Sequence, residues 1–194
     1  PLSPPHRPTR PAPISAMRVL SLWYGLPGAG KSTQLRDVEA AGWRVFDDFM
    51  KHAARPARTF AASRHAGDIV AALHRGEPCA IADIRLCRQS LRTDVATALG
   101  TLFPALALQW NAFDCRTPDA VTRCRANVLY RSGRAAQGRW HALAWIALHR
   151  SEFTVEPGAR IFPVTDARLA ASDDGPTELA AGIPAAGTHP PVPG

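Results

Sequence analysis

Nine consecutive residues near the start of the chain have the types and the spacing that phosphate binding requires. Residues 25–33 read GLPGAGKST and fit the pattern G-x-x-x-x-G-K-[ST]. Glycines let the backbone turn tightly and bring its N–H groups onto phosphate oxygens without a Cβ in the way. We call this segment the glycine-rich loop, and its members are Gly25, Leu26, Pro27, Gly28, Ala29, Gly30, Lys31, Ser32 and Thr33.

The surroundings of the glycine-rich loop favour the same chemistry. An apolar run at 19–24 predicts a strand before it, and residues 31–41 predict a helix whose N-terminus would attract an anion. Lys31 is one of only two lysines in the sequence, which argues against a chance match. In this motif the lysine reaches the β- and γ-phosphates and the hydroxyl, here that of Ser32, ligates Mg²⁺. The guanine-recognition motif N-K-x-D does not occur, so ATP is the expected nucleotide.

Three aspartates follow predicted strands and are candidate site residues. Asp47 and Asp48 follow the run 43–46, and Asp83 follows the run 79–82. Ligands of open α/β sheets bind beyond the carboxyl ends of the strands, where these acids are expected. Asp83 suits the hydration shell of Mg²⁺, although an Asp after a strand is a common pattern. A helix cap or a solvated loop acid is the alternative for the pair, of which only one, Asp47 by preference, is expected to face the cleft.

The glycine-rich loop after a strand resembles the P-loop kinases of the adenylate, shikimate, gluconate and polynucleotide kinase type, including small bacterial AAA-domain, zeta-toxin-like proteins. The resemblance covers residues 17–165 and implies a five-stranded parallel sheet, ATP with Mg²⁺, and phosphoryl transfer to a small or nucleic-acid acceptor. It also implies that Asp47 or Asp48 orients or deprotonates the acceptor hydroxyl. Polynucleotide kinases continue with Thr and Asn after the third-strand acid, whereas this chain has Ile84-Arg85.

A polar stripe is predicted on the helix that begins at Pro118. Its members recur at helical spacing, opposite the apolar face: Arg123, Asn127, Arg131 and Arg134. By the resemblance, this region is a mobile lid from which Arg131 or Arg134 neutralises charge on the transferring phosphoryl group. A solvated arginine face is the alternative. In the next predicted helix, Trp140 and Trp145 are interpreted as core residues.

The elements that must position these residues alternate along the chain. Runs that are apolar throughout indicate a parallel sheet covered on both faces. We therefore expect an α/β fold of the P-loop NTPase type, with five parallel strands and helices on both faces. The predicted strands are 19–24, 43–46, 79–82, 106–110 and 161–164, and the predicted helices are 31–41, 63–75, 90–99, 118–130 and 140–148.

The composition sets the limits of this prediction. Hydrophobic residues make up 46% and charged residues 20%, which is ordinary for a globular domain and excludes general disorder or a coiled coil. We expect a Pro-rich disordered extension at 1–16, one ATP-binding domain at 17–165 and a low-complexity tail at 166–194. The longest apolar runs are too short to span a membrane. Cysteines without CxxC spacing favour reduced thiols and a cytoplasmic location.

The sequence leaves the activity open between two classes. The net charge of +7 attracts phosphates or nucleic acid, but a genome whose base composition favours arginine codons would produce it equally well. Nucleic acid is therefore a possible partner that the sequence does not specifically indicate. We expect a small kinase that transfers the ATP γ-phosphoryl group to an unidentified hydroxyl acceptor. The alternative is an ATP-binding regulatory or sensor module with little or no transferase activity.

Overall fold

The computed structural model of the chain describes residues 18–50, 58–130 and 136–166. The strands are β1 (Val19–Tyr24), β2 (Arg44–Asp47), β3 (Cys79–Ala82), β4 (Ala107–Phe113) and β5 (Arg160–Phe162). The helices are α1 (Lys31–Ala40), α2 (Ala66–His74), α3 (Gln89–Leu102), α4 (Pro118–Tyr130) and α5 (Ala136–His149), with a short 3-10 helix at Ile84–Cys87. The predicted tails, apart from Asp166, lie outside the described residues.

All five strands run parallel in one sheet, in the order β2-β3-β1-β4-β5. The chain crosses the sheet in one direction from β1 to β2 and in the opposite direction from β2 to β5. The usual right-handed crossover therefore puts α1 on one face of the sheet and α2 and α3 on the other. The change of direction opens a crevice at the carboxyl end of β1, where ligands of open sheets bind. The predicted α/β fold with a five-stranded parallel sheet is confirmed.

The core lies on both sides of the central strands. All four residues of β3 are buried, and so is β1 from Leu20 to Tyr24. Strands covered on both faces have no solvent side, which explains why they read as continuous apolar runs. Burial of each large apolar side chain contributes about 1.5–3 kcal/mol, so the sheet is a stable platform for the loops at its carboxyl edge.

Local signals set some boundaries and long-range contacts set others. The start of α4 is capped locally, because the Thr117 hydroxyl accepts a hydrogen bond from the Ala120 N–H at 3.2 Å. The predicted end of β4 at residue 110 is three residues short. Asn111 continues the strand although it is polar, because its Nδ2 donates to the Ser21 hydroxyl at 2.8 Å inside the sheet.

Membrane insertion finds no support among the helices. Within residues 18–50, 58–130 and 136–166, none of the helices combines the length and the apolar character that a membrane crossing needs.

Candidate functional site

A cleft of about 460 Å³ opens at the carboxyl edge of the sheet, between the glycine-rich loop, the ends of β2 and β3, and α5. Its volume lies in the range of small-molecule binding sites. It brings together residues that are far apart in the sequence. Its lining consists of Pro27, Gly28, Gly30, Lys31, Ser32, Asp47, Asp48, Asp83, Ile84, Arg85, Gly138, His141, Ala142 and Trp145.

The glycine-rich loop contributes five of its nine residues to this cleft. Three further members of the loop, Gly25, Leu26 and Ala29, are buried. The exposed Thr33 lines a shallow groove beside the cleft. Because α1 begins at Lys31, the amides of Lys31 and Ser32 precede the first hydrogen bond of the helix, which runs from the Thr33 N–H to the Gly30 carbonyl at 3.0 Å. Those amides and the partial positive charge of the helix end therefore lie at the cleft.

Lys31 is held at the mouth of the loop by backbone oxygens. Its Nζ donates to the carbonyl of Gly25 at 2.6 Å and to that of Leu26 at 3.1 Å. The ammonium group thus curls back over the loop and is half-buried. A charged donor is therefore present at the cleft, bonded to two backbone carbonyls of the loop.

The structure pairs Ser32 with Asp47. The Ser32 hydroxyl donates to Asp47 Oδ2 at 3.1 Å, while Asp47 Oδ1 accepts from the Asp48 N–H at 3.0 Å. A hydroxyl and a carboxylate side by side are hard oxygen ligands of the type that Mg²⁺ prefers. From the sequence we expected Ser32 to act with Asp83 at the metal, but no hydrogen bond joins those two side chains in the described part of the chain.

Asp48 lies beside Asp47 with an unusual backbone. Its φ of 52° falls in the left-handed region, which Asp tolerates better than most residues. Both acids are exposed and both line the cleft. The sequence led to the expectation that only one of the two acids faces the cleft, and which of them faces its phosphate side stays a prediction.

Asp83 is buried and bonded to two backbone amides. Its Oδ1 accepts from Arg85 N at 2.8 Å, which caps the 3-10 helix, and its Oδ2 accepts from Met50 N at 3.2 Å. Burial raises the pKa of the Asp83 carboxyl, an effect that the hydrogen bond from the Arg85 amide and the Arg85 charge only partly offset. The carboxylate thereby joins the segment after β2 to the segment after β3, the two walls of the cleft beside the glycine-rich loop.

The glycine-rich loop rests on α4. A Cβ on Gly28, whose φ is +83°, would collide with the backbone oxygen of Cys124 and would lie 3.2 Å from Val128 Cγ2. Asn127 Nδ2 donates to the Gly28 carbonyl at 2.8 Å and to the Thr165 carbonyl at 2.8 Å. The glycine-rich loop therefore packs directly on helix α4, which fixes its position relative to the sheet.

The predicted polar stripe on α4 is wrong in one essential respect. Asn127 is 4% exposed and lies with the apolar residues of α4 rather than opposite them, because its amide bonds to the loop and to Thr165. Arg123 is exposed and donates to the Val164 carbonyl at 3.2 Å. Arg131 and Arg134 lie outside the described residues.

Two cysteines lie under the glycine-rich loop. The Sγ atoms of Cys115 and Cys124 are 4.0 Å apart, and the Leu26 N–H donates to Cys115 Sγ at 3.4 Å. The hydrogen bond from Cys124 lowers the pKa of Cys115, and the same contact, with burial, raises that of Cys124. All four cysteines are free and buried, in line with the expected reduced thiols.

Three residues of the cleft wall were missed by the sequence analysis: Arg85, His141 and Trp145. Trp145 is half-buried and Trp140 is 72% exposed, so their interpretation as core is wrong for Trp140 and incomplete for Trp145. Helix α5 packs against α4 and the 3-10 helix, and this docking decides which of its residues are covered. For Arg85, the signal was its place two residues after a strand-end acid.

No protein-family model matches this chain, and no curated protein matches it at a significant level. The resemblance noted from the sequence thus depends on the glycine-rich loop and on the acids after β2 and β3. The structure is compatible with it as an α/β fold with a five-stranded parallel sheet.

Proposed function

We propose that this protein binds Mg·ATP on its glycine-rich loop, as a P-loop NTPase does, and transfers the γ-phosphoryl group to a hydroxyl compound bound in the same cleft. The observation that carries the proposal is the convergence of Lys31, Ser32 and Asp47 at the start of α1. A cation, a hydroxyl and a carboxylate there match the three groups that a phosphate chain with Mg²⁺ requires.

The residues of the loop fit the nucleotide that they would hold. Gly28 lines the cleft, and the Cβ that it lacks would lie against α4, so a glycine lets the loop pack closely on that helix. The amides at the start of α1 face the cleft, and Lys31 would exchange its carbonyl partners for phosphate oxygens. The nucleotide supplies the phosphoryl group, and these residues hold it in line for transfer, which is most of what this chemistry asks of a protein.

The acids fit a Mg²⁺ site of the usual kind. Mg²⁺ is normally held by one or two carboxylates together with phosphate oxygens, rather than by a cage of side chains. In residues 18–50, 58–130 and 136–166, no group of three or more His, Cys, Asp or Glu side chains could hold a metal ion. Ser32 and Asp47 would hold the ion from the protein side, and Asp83 would act through its hydration shell.

Asp48 is then the carboxylate left for the acceptor. Asp47 is occupied by Ser32 and by the Asp48 amide, whereas no hydrogen bond is made by the Asp48 side chain among the described residues. A general base must come within hydrogen-bond reach of the hydroxyl proton. We assign that role to Asp48, which reverses the preference for Asp47 drawn from the sequence.

Thermal melting of the full chain with and without Mg·ATP tests the nucleotide site. A ligand at 100 times its Kd adds about 2.7 kcal/mol to stability, so the melting temperature should rise by several degrees. Lys31→Ala should abolish this rise. Arg36→Ala, which removes an exposed cation from the same helix, should leave it intact. Equal stabilisation of wild type and Lys31→Ala would refute nucleotide binding on the loop.

ATP consumption with a panel of sugars, nucleosides, small hydroxy acids and 5′-hydroxyl oligonucleotides tests the transfer. Asp48→Asn should keep Mg·ATP binding and lower transfer by about 10²-fold or more. Asp47→Asn should weaken nucleotide binding in the presence of Mg²⁺ but not in its absence. Binding without transfer to any compound would favour the regulatory or sensor module instead.

A further inference from the structure

Arg85 is the cationic side chain of the cleft wall opposite the glycine-rich loop, and its guanidinium is fixed in place. Its Nη1 donates to the Met50 carbonyl at 2.7 Å, and its carbon Cζ lies 5.5 Å from the centre of the Trp145 ring. A hydrogen bond in its plane and an aromatic ring against its face hold the group in one orientation. The side chain is half-buried and lines the cleft.

Among the described residues, the guanidinium of Arg85 uses few of its donors. A guanidinium has five N–H donors, and the Met50 carbonyl takes one of them; within the described part of the chain no carboxylate forms an ion pair with it. A partly buried guanidinium without a hydrogen-bonded carboxylate is costly unless a ligand or water meets its donors. The remaining edge of the fork has the geometry that carboxylate and phosphate groups match with two parallel bonds.

Asp83 explains why Arg85 does not simply pair with the nearest acid. Both oxygens of Asp83 already accept backbone amides, one of them the amide of Arg85 itself. The same two residues also hold both polar groups of the Met50 backbone, since Met50 donates to Asp83 and accepts from Arg85. The arrangement presents the guanidinium to the cleft and keeps it there.

We propose that Arg85 binds an anionic group, a carboxylate or a phosphate, on the compound that accepts the phosphoryl group. The inference rests on the proposed function and narrows its acceptor to hydroxyl compounds that carry such an oxyanion. Lys31 and the helix amides already serve the nucleotide, and Asp48 serves the hydroxyl. Arg85 is a specificity-determining residue on the far wall, where neutral sugars and nucleosides would leave it unpaired.

Calorimetric titration of inorganic phosphate into the full chain, saturated with Mg²⁺ and the non-hydrolysable analogue AMP-PNP, tests this assignment. The analogue fills the nucleotide site, so the phosphate reports on the remaining oxyanion site. We expect saturable binding that Arg85→Met weakens at least tenfold, the loss expected for one or two charge-assisted hydrogen bonds. Arg88→Met is the matched control: this arginine lies in the same segment, pairs with Glu152 outside the cleft, and should leave phosphate binding unchanged.

Two results would overturn the assignment. One is the absence of phosphate binding to the loaded wild type, or equal binding to Arg85→Met. The other is a loss of AMP-PNP affinity without a loss of ADP affinity in Arg85→Met, which would place Arg85 on the γ-phosphate of the nucleotide rather than on the acceptor.

A second variant guards against a change in folding. Arg85→Lys keeps the positive charge and one donor for the Met50 carbonyl but loses the paired N–H donors of the guanidinium. It should therefore melt close to the wild-type temperature, while its affinity for phosphate should be severalfold lower than that of wild type. Equal phosphate affinity in Arg85→Lys would contradict the proposal. If AMP-PNP itself fails to bind, the proposed function fails on its own. Phosphate is then titrated into Lys31→Ala without nucleotide, where Arg85-dependent binding would still support this site and its absence would refute it.

Discussion

The contact between the glycine-rich loop and α4 predicts a specific cost for a single methyl group. Gly28→Ala would place a Cβ against the backbone oxygen of Cys124 and 3.2 Å from Val128 Cγ2, at a φ of +83°. A residue with a Cβ in the left-handed region costs about 1–2 kcal/mol by itself. Overpacking against a rigid neighbour adds about 1–3 kcal/mol. The total expected loss in the free energy of unfolding is therefore about 2–5 kcal/mol.

Gly76 provides the control that separates the two contributions. It follows the end of α2 with a φ of +76°, nearly the same as that of Gly28, but a Cβ there would meet no atom within 4 Å. Gly76→Ala should therefore cost only the backbone contribution, about 1–2 kcal/mol. The difference between the two variants, about 1–3 kcal/mol, measures the collision with α4.

Urea denaturation followed by circular dichroism gives both free energies of unfolding, and thermal melting gives an independent check. A difference of that size corresponds to roughly 2–12 °C in melting temperature for a chain of this length. Trimming Val128 to Ala in the Gly28→Ala background should not restore stability, because the colliding atom of Cys124 belongs to the backbone. Equal destabilisation by Gly28→Ala and Gly76→Ala would refute the packing of the loop on α4.

Two further predictions concern a buried arginine and a buried histidine. Arg92→Met should lower the free energy of unfolding by about 3–5 kcal/mol, because this 1%-exposed arginine bonds Glu156, Thr154 and two backbone carbonyls. Arg88→Met, which removes an exposed ion pair, should cost at most about 1 kcal/mol. Similar costs for the two variants in urea denaturation would contradict the hydrogen-bond network of Arg92. Burial, and next the Arg88 charge, lower the pKa of His149, so the unfolded chain binds its proton first and stability should fall as pH drops below about 6.5. His149→Phe, which preserves a ring against Trp145, should flatten that part of the stability–pH curve, and an unchanged curve would rule out this histidine as its cause.

Local sequence signals were enough for the sheet and for the loop. Continuous apolar runs identify β1 and β3 because both faces of those strands are covered, and Thr117-Pro118-Asp119 identifies the start of α4 because the cap is made within three residues. The glycine-rich loop is recognisable for the same reason, because its backbone geometry depends on the types of consecutive residues.

Long-range partners decided what the sequence could not reveal. Asn127 looked like part of a solvated polar stripe, yet it is buried because its amide bonds to the Gly28 carbonyl. Helical spacing could not predict this contact, since Gly28 lies 99 residues away in the chain. Arg92 shares a helical face with the buried Val95 and Leu99, and its charge is accommodated there because Thr154 and Glu156 bond to it from the segment before β5. Helical spacing tells which residues share a face, but not which polar residue on that face finds a buried partner.

The acids of the cleft show the same limit and also what geometry adds to it. As strand-end acids, Asp47 and Asp83 look equivalent in the sequence, which led us to expect Ser32 as the metal ligand and Asp83 at the hydration shell of the ion. The structure separates them by their partners: Asp83 is 3% exposed with both oxygens bonded to backbone amides, whereas Asp47 is exposed and accepts from the Ser32 hydroxyl. The Asp83 carboxylate already bonds to two backbone amides, and so it holds the walls of the cleft in place. The Asp47 carboxylate meets a hydroxyl at the rim of the cleft, and it can exchange that partner for an ion. We therefore propose Asp47 as the direct ligand of the metal ion, and Asp83 as the residue that positions Arg85 and Met50 and reaches the ion only through its hydration shell.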